Sequence, residues 1–219
     1  MPKFTLRRCV LAILRPLFRI LFPCCVKGLE NLPKASADNP IIVCCNHISI
    51  VDPVFLLCLQ SQHIYFMAKA ELFKNRFTSW FLGDVMGAFP VNRGKGDMTA
   101  VNHAFDLVNS GNILGIFPQG TCRRTRELGL PKSGAALIAA RTGATVVPAA
   151  LVTKDFHVRA FKRTTLLIGK PLTSADLQLH NDEHPKLRFA SRTIMEQIDL
   201  LIATECGERK EETNAGAIG

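Results

Sequence analysis

Residues 41–60 read IIVCCNHISIVDPVFLLCLQ. The run IIVCC, 41 to 45, has the length and apolar character of a strand buried on both faces. Asp52 followed by Pro53 marks a helix start: a carboxylate can accept from free amides, and proline is tolerated at the first helical position. The apolar VFLLCLQ continues that helix. The stretch is therefore a strand, a short connection and a helix, the repeating half-unit of an α/β fold. His47 stands in the connection and Asp52 at its far end, with four residues between them. The loop is short enough to bring the two side chains together.

The same alternation extends in both directions. NLPKASADNP before the strand is turn-like. After the helix, IYFMA at 64 to 68 reads as a strand leading to Lys69, and the aromatic-rich LFKNRFTSWFL, 72 to 82, as helical. GAFPVNRGKGD, 87 to 97, supplies a short strand and a basic, glycine-bearing loop. A helix fits 98 to 109, and ILGIFP, 113 to 118, is a strand that delivers the loop QGTCRRTRELG. SGAALIAARTGATVVPAAL, 133 to 151, reads as an alanine-rich helix, a glycine stop and a buried strand. TTLLIG at 164 to 169 is another strand, and the apolar phase of 185 to 203 gives a last helix. This predicts a single α/β domain with a largely buried mixed sheet flanked by helices, preceded by an amphipathic N-terminal helical segment. The divisions expected are 1–30 for that segment, 31–205 for the globular domain and 206–219 for a polar, frayed tail.

A chain of 219 residues that is 47% apolar and 21% charged can bury a full core. Its eight cysteines lack paired zinc-ribbon spacing, so they read as free or buried thiols in a reducing compartment, and no metal site is expected. The formal charge of +9 favours an anionic partner: a membrane surface, a phosphorylated small molecule, an acidic protein or nucleic acid. Nucleic acid is set aside because no reading element or aromatic platform is recognisable. No phosphate loop or dinucleotide fingerprint is present, and GKGD at 94 to 97 is too short to count as either. No stretch resembles a signal peptide with a cleavage site.

Residues 7 to 27, RRCVLAILRPLFRILFPCCVK, are apolar but interrupted by Arg15, Pro16 and Arg19. An arginine at the bilayer centre costs about 2.5 to 3.5 kcal/mol on insertion scales, which argues against a span. Leu11, Leu14, Leu17, Phe18, Leu21 and Phe22 recur at helical spacing, and Arg8, Arg15 and Arg19 fall on another face. One or two short helices are expected, bent or restarted at Pro16, with the apolar side in lipid and the arginines at anionic headgroups. The other arrangement is the same apolar side packed onto the protein's own core.

A neutral imidazole beside a carboxylate suits general-base work. Asp52 can accept the ring's second proton and stabilise the imidazolium formed when His47 takes a proton from a bound alcohol. Arg93 follows the 87 to 90 strand, and Arg123, Arg124 and Arg126 follow the 113 to 118 strand. Guanidinium groups hold phosphate bidentately, and amides of Gly94, Gly96 or Gly120 can add donors. Lys69 and Lys95 are weaker members of this set. The competing reading of these cations is a solvated basic rim.

Taken together, these blocks resemble the glycerolipid acyltransferase family, and most of all its 1-acylglycerol-3-phosphate acyltransferases. His47 and Asp52 match its histidine, four residues, aspartate motif, with Asn46 as the asparagine before it. GAFPVNR, 87 to 93, is similar to the second block and ends in Arg93; FPQGTCR, 117 to 123, is similar to the third; VVPAAL, 146 to 151, fits the fourth around Pro148. The resemblance implies transfer of a fatty acyl group from a thioester of coenzyme A or acyl carrier protein to a phosphorylated lipid alcohol, 31–205 being the acyltransferase domain. By the same likeness His47 is the base and Asp52 its orienting partner. Arg93, Gln119, Gly120, Thr121, Arg123, Arg124 and Lys69 fall to the acceptor, and Asn46 and Pro148 shape the site. No metal or redox cofactor is called for. An anionic membrane surface is the expected partner, at the cytoplasmic face, with the protein peripheral or monotopic.

The chain departs from the family where its third block has glutamate: Gln119 keeps a hydrogen-bonding amide and loses the charge. Cys122 also intervenes before Arg123. Two other functions stay open at this point. One is acyl transfer to another lysophospholipid or lipid alcohol; the other is a catalytically silent, membrane-associated lipid-binding module.

Overall fold

The computed structural model describes residues 3–59, 62–92, 97–179 and 184–216. It opens with helix α1 (Lys3–Leu21) and strand β1 (Cys24–Lys27), followed by β2 (Ile41–Cys45), α2 (Asp52–Leu59) and β3 (Ile64–Lys69). Next come α3 (Arg76–Trp80), which continues into a π-helical turn at Phe81–Val85, then β4 (Ala88–Val91), α4 (Met98–Asn109) and β5 (Ile113–Ile116). Helix α5 (Gly134–Thr142), β6 (Thr145–Val152), β7 (Thr164–Ile168) and α6 (His184–Gly216) complete the order.

The seven strands form one mixed sheet in the order β1-β7-β6-β2-β5-β3-β4. Strands β6, β2, β5, β3 and β4 run parallel to one another, while β7 is antiparallel to β6 and parallel to β1. Alternation along β2 divides the core. Ile42 and Cys44 face the layer of α4, α5 and α6. Ile41, Val43 and Cys45 face the layer containing α2, Phe18 of α1 and Phe22 just beyond it. Because both faces are covered, all five residues of β2 are buried, which is why the strand reads as an unbroken apolar run.

Helix α5 stops at Gly143, whose φ of +65° is the left-handed cap that the glycine after an alanine-rich run announces. Pro148 sits mid-strand in β6 without a ladder donor, yet little is lost there. It lies opposite Gly169, just past the end of β7, and its carbonyl accepts the Gly169 N–H at 2.7 Å.

Three parts of the fold differ from the sequence reading. The N-terminal helix ends at Leu21, and Cys24–Lys27 is an edge strand in register with β7, so the helical part of 1–30 is shorter than expected. Four residues beside a longer apolar helix give too short a period to read as a strand. Helix α6 runs to Gly216 rather than stopping near 203. The apolar phase that marks a helix reports only the packed portion, and the Glu, Arg and Lys beyond it are good helix formers.

The third difference concerns α1, which is one helix continuous through Pro16. Arg7, Arg15 and Arg19 turn towards the protein. Arg15 donates to the Leu57 carbonyl at 3.0 Å and Arg19 to the Cys58 carbonyl at 2.8 Å, while Arg7 donates to the Val85 carbonyl at 3.1 Å. The last carbonyls of α2 have no partner within their own helix, so guanidinium donors satisfy them. Ile13, Leu17 and Ile20 point outward instead, at 71%, 51% and 67% exposure. Among the described residues, no helix is long and apolar enough to cross a membrane.

Candidate active site

Five parallel strands end on one edge of the sheet, at Val152, Cys45, Ile116, Lys69 and Val91. Loops after the carboxyl ends of parallel strands are where such folds place their ligands. Asn46 is the first residue beyond β2 and is fully buried. Its side-chain amide behaves as one more rung of the ladder: Nδ2 donates to the Leu151 carbonyl at 2.9 Å, and Oδ1 accepts the Leu151 N–H at 2.7 Å. The turn that carries His47 is thereby fixed to β6.

His47 Nδ1 lies 2.7 Å from Asp52 Oδ2. Asp52 is fully buried, and His47 is 16% exposed. The same oxygen accepts the backbone N–H of Ile48 and of Ser49, both at 2.7 Å. The carboxylate therefore reaches back over the loop before it rather than forward into the first turn of α2. Three donors converge on Oδ2, which fixes the orientation of the carboxylate and holds the Nδ1–H tautomer of the ring. Nε2 is left to take or give a proton. Phe117 stacks on the imidazole with centroids 4.4 Å apart, and Phe66 lies parallel to Phe117 at 6.1 Å. Neither ring was picked out from the sequence, although Phe117 opens the FPQGTCR block.

The second half of the site is the loop after β5. The Phe117 carbonyl accepts the Gly120 N–H at 2.9 Å, closing a turn over Pro118 and Gln119. The Gly120 amide is thus committed within the turn and is not a donor for a ligand, contrary to the sequence reading. Its φ is +69°, and a Cβ there would come within 2.7 Å of the Lys132 side chain. That lysine, which the sequence reading overlooked, joins the loop through its own N–H to the Pro118 carbonyl at 2.9 Å.

Gln119 is 5% exposed. Its Oε1 accepts the His47 N–H at 2.5 Å, and its Nε2 donates to the Leu128 carbonyl at 3.1 Å. Both polar atoms are therefore used inside the protein. The Arg123 N–H donates to the His47 carbonyl at 2.7 Å, and its guanidinium lies against the backbone at Gly129. Thr121, Arg123 and Arg124 are exposed at the loop's surface. Arg126 is paired with Asp199 on α6, which removes it from the set of free cations.

Lys69 ends β3 on the same edge and pairs with Glu71 at 3.2 Å. Pro148 is level with Cys44, below the strand ends, and alternates with Val146 and Ala150 on the face opposite His47. It supports the sheet and is not brought to the imidazole. Arg93, with Gly94, Lys95 and Gly96, lies outside the described residues.

The nearby thiols are all shifted away from the thiolate form. Burial raises the Cys45 thiol well above its ordinary value, with the Asp52 charge adding to it, and burial pushes Cys44 up to about 12. Cys122 is raised for the same two reasons, burial first and the Asp52 charge second. Among the described residues, no group of three or more His, Cys, Asp or Glu side chains is placed to hold a metal ion.

The model of the acyltransferase family matches residues 23–152, more than half of the chain. A 1-acyl-sn-glycerol-3-phosphate acyltransferase of Bacillus subtilis is 38% identical over 154 residues, covering 69% of this chain and 74% of that protein. The chloroplastic 1-acyl-sn-glycerol-3-phosphate acyltransferase BAT2 of Brassica napus is 36% identical over 129 residues, 58% of this chain and 36% of that one. Among solved structures, the 1-acyl-sn-glycerophosphate acyltransferase PlsC of Thermotoga maritima superposes with a TM-score of 0.71. It is 21% identical, with 93% of this chain and 83% of that chain covered, and so speaks for the fold. The matched span runs from β1 to the end of β6 and contains His47, Asp52 and the whole Gln119 loop, so the chain belongs to the acyltransferase family.

Proposed function

We propose that the protein transfers a fatty acyl group from an acyl thioester to the free hydroxyl of 1-acylglycerol-3-phosphate, giving phosphatidate. The observation that carries this reading is the 2.7 Å contact between His47 Nδ1 and the buried Asp52 carboxylate. A base so oriented takes the hydroxyl proton on Nε2 while the alcohol oxygen attacks the thioester carbonyl. The tetrahedral intermediate collapses with loss of the C–S bond, and the thiolate leaves with the proton that the imidazolium returns. The Asp52 carboxylate, held against Nδ1, stabilises the cation formed on its neighbour. Arg123, Arg124 and Lys132 supply positive charge for the acceptor phosphate, with Arg93 and Thr121 assigned to the same task by the family resemblance. Coenzyme A and acyl carrier protein are both suitable thioester carriers.

A membrane-surface location for this reaction is supported by α1, although much of the apolar side expected to enter lipid packs on the core and only Leu17 of it joins the exposed row. Arg15 and Arg19 are engaged by the carbonyls of α2, and Ile13, Leu17 and Ile20 form the row available to lipid. The eight free cysteines and the thioester donor both suit a reducing compartment, which favours the cytoplasmic face.

The test is incubation of the purified protein with 1-acylglycerol-3-phosphate and long-chain acyl-CoA or acyl-ACP, reading phosphatidate and released thiol together. Turnover abolished by His47→Ala in a protein that still folds supports the proposal. A folded protein that gives no product with either donor sinks it and leaves the lipid-binding module in its place.

A further inference from the structure

The connection between β6 and β7, residues 153–163, is not used by the proposed chemistry and has an unusual tip. Phe161 is 68% exposed and has a φ of +60°, a left-handed conformation that side chains other than glycine, asparagine and aspartate avoid. The chain holds it there by donating the Phe161 N–H to the Leu21 carbonyl at 2.6 Å. Leu21 is the last residue of α1, so the loop tip is fastened to the end of the helix that carries the exposed Ile13, Leu17 and Ile20.

The position follows from the topology. β6 runs towards the His47 edge and β7 runs away from it, so the 153–163 connection lies at that edge. Cys24, at the start of β1, is level with Thr164 at the start of β7, and the Thr164 N–H donates to the Pro23 carbonyl at 2.9 Å. The exit of α1 and this loop are therefore fastened to each other beside the catalytic edge.

The loop is also cationic. Lys154, Arg159 and Lys162 are exposed, and Asp155 offsets only Arg159, with which it is paired. An exposed aromatic ring in an unfavourable backbone state is a double cost, and the Leu21 hydrogen bond offsets only the backbone part of it. An apolar phase bordered by negative charge recovers both the ring's burial and the lysine charges. A purely acidic protein surface would use the lysines and leave the ring and the adjoining aliphatic row unburied.

We propose that loop 153–163 is a second membrane contact, in which Phe161 inserts beside α1 while Lys154 and Lys162 meet anionic headgroups. The proposal rests on the reading of the protein as a membrane-surface acyltransferase. It adds that two separate segments fix the His47 edge against the interface, so an acceptor can reach the imidazole without leaving the lipid phase.

The experiment uses the full chain and vesicles of phosphatidylglycerol and phosphatidylcholine. Phe161→Asn keeps a residue that accepts the left-handed backbone, and its vesicle partition coefficient should fall about tenfold or more. Lys154→Glu with Lys162→Glu should weaken partition only to anionic vesicles, and progressively less as salt is raised. In a Trp80→Phe background, the indole introduced by Phe161→Trp should blue-shift on vesicle addition and be quenched by brominated acyl chains. Turnover of short-chain, monomeric acceptor and donor without vesicles should stay within about twofold of wild type for Phe161→Asn, since the ring takes no part in the chemistry. Unchanged partition in both loop variants, or an indole at the loop tip that brominated chains fail to quench, overturns the proposal. So does a raised KM for acyl carrier protein with partition unchanged, which would make the loop a docking point for an acidic donor protein. A wild type that binds vesicles through Phe161 but turns over no substrate leaves this contact standing and removes the acyltransferase reading instead.

Discussion

The His47 backbone is held by Gln119: Oε1 accepts its N–H at 2.5 Å, and the other end of the same amide donates to the Leu128 carbonyl at 3.1 Å. The side chain thus spans from the His47 turn to the far side of the loop after β5. An ionised glutamate could accept from His47 but would oppose a carboxylate oxygen to the Leu128 carbonyl. In this chain the amide therefore holds the His47 turn in place.

Gln119→Glu is accordingly expected to lose about 1 to 3 kcal/mol of stability at neutral pH, the range for leaving a buried polar group unsatisfied. Protonation of the new acid restores a donor. The deficit in thermal midpoint relative to wild type should therefore shrink between pH 8 and pH 5. A variant at least as stable and active as wild type at pH 8 would contradict the tie described above.

Replacing Asp52 separates orientation from charge. In Asp52→Asn one oxygen can still accept from the Nδ1–H of His47 and the amides of Ile48 and Ser49, but the negative charge beside the imidazole is gone. Acyl transfer should fall by roughly 10² to 10⁴ while circular dichroism stays native. A loss in KM alone, with kcat preserved, would argue that the aspartate serves binding and not the base.

The arginines after β5 should fall into two classes. Arg123→Ala and Arg124→Ala should raise KM for phosphorylated acceptors more than tenfold, the cost of losing a charge-assisted contact of about 1.5 to 3 kcal/mol. Arg126 is committed to Asp199. Its alanine variant should leave acceptor KM unchanged and cost at most about 1 kcal/mol of stability, as expected for a partly exposed pair. Steady-state kinetics over acceptor concentration, with a dephosphorylated acceptor as control, distinguishes the two.

His63 gives the protein an acid sensitivity unrelated to catalysis. Burial, and after it the charges of Arg7 and Arg15, lower its pKa to about 3. The neutral ring can donate Nε2–H to the Met86 carbonyl, 3.2 Å away. The unfolded chain binds a proton near pH 6.5 and the folded chain does not, so the stabilising contribution is complete above 6.5. It declines as pH falls from there towards 3, with a slope of up to about 1.4 kcal/mol per pH unit. His63→Gln should flatten the dependence of thermal midpoint on pH in that window. An equally steep decline in the variant would assign the effect to other groups.

Much of this molecule could be read before it was seen. The strand at 41 to 45, the start of α2 at Asp52, the glycine stop after α5 and the pairing of His47 with Asp52 all follow from local rules of period, capping and spacing. What escaped depends on partners distant in sequence. The apolar period of α1 says which residues share a face but not which way that face turns, because the carbonyls that recruit Arg15 and Arg19 belong to α2. Gln119 looked like a ligand-facing residue since the Leu128 carbonyl that fixes its amide is nine positions away across a loop. Strand order and the short β1 were hidden for the same reason: pairing with β7 is a contact between residues 24–27 and 164–167.

Asn46 and Gln119 clasp the His47 turn from two sides, one through Leu151 and the other through Leu128, and each acts as donor and acceptor at once. Such amides are chemically perishable. Hydrolysis of either one to its acid during long incubation at elevated temperature would install a negative oxygen against a main-chain carbonyl. Ageing of this enzyme would then appear as a one-dalton mass gain at position 46 or 119, with loss of turnover ahead of any loss of helix content.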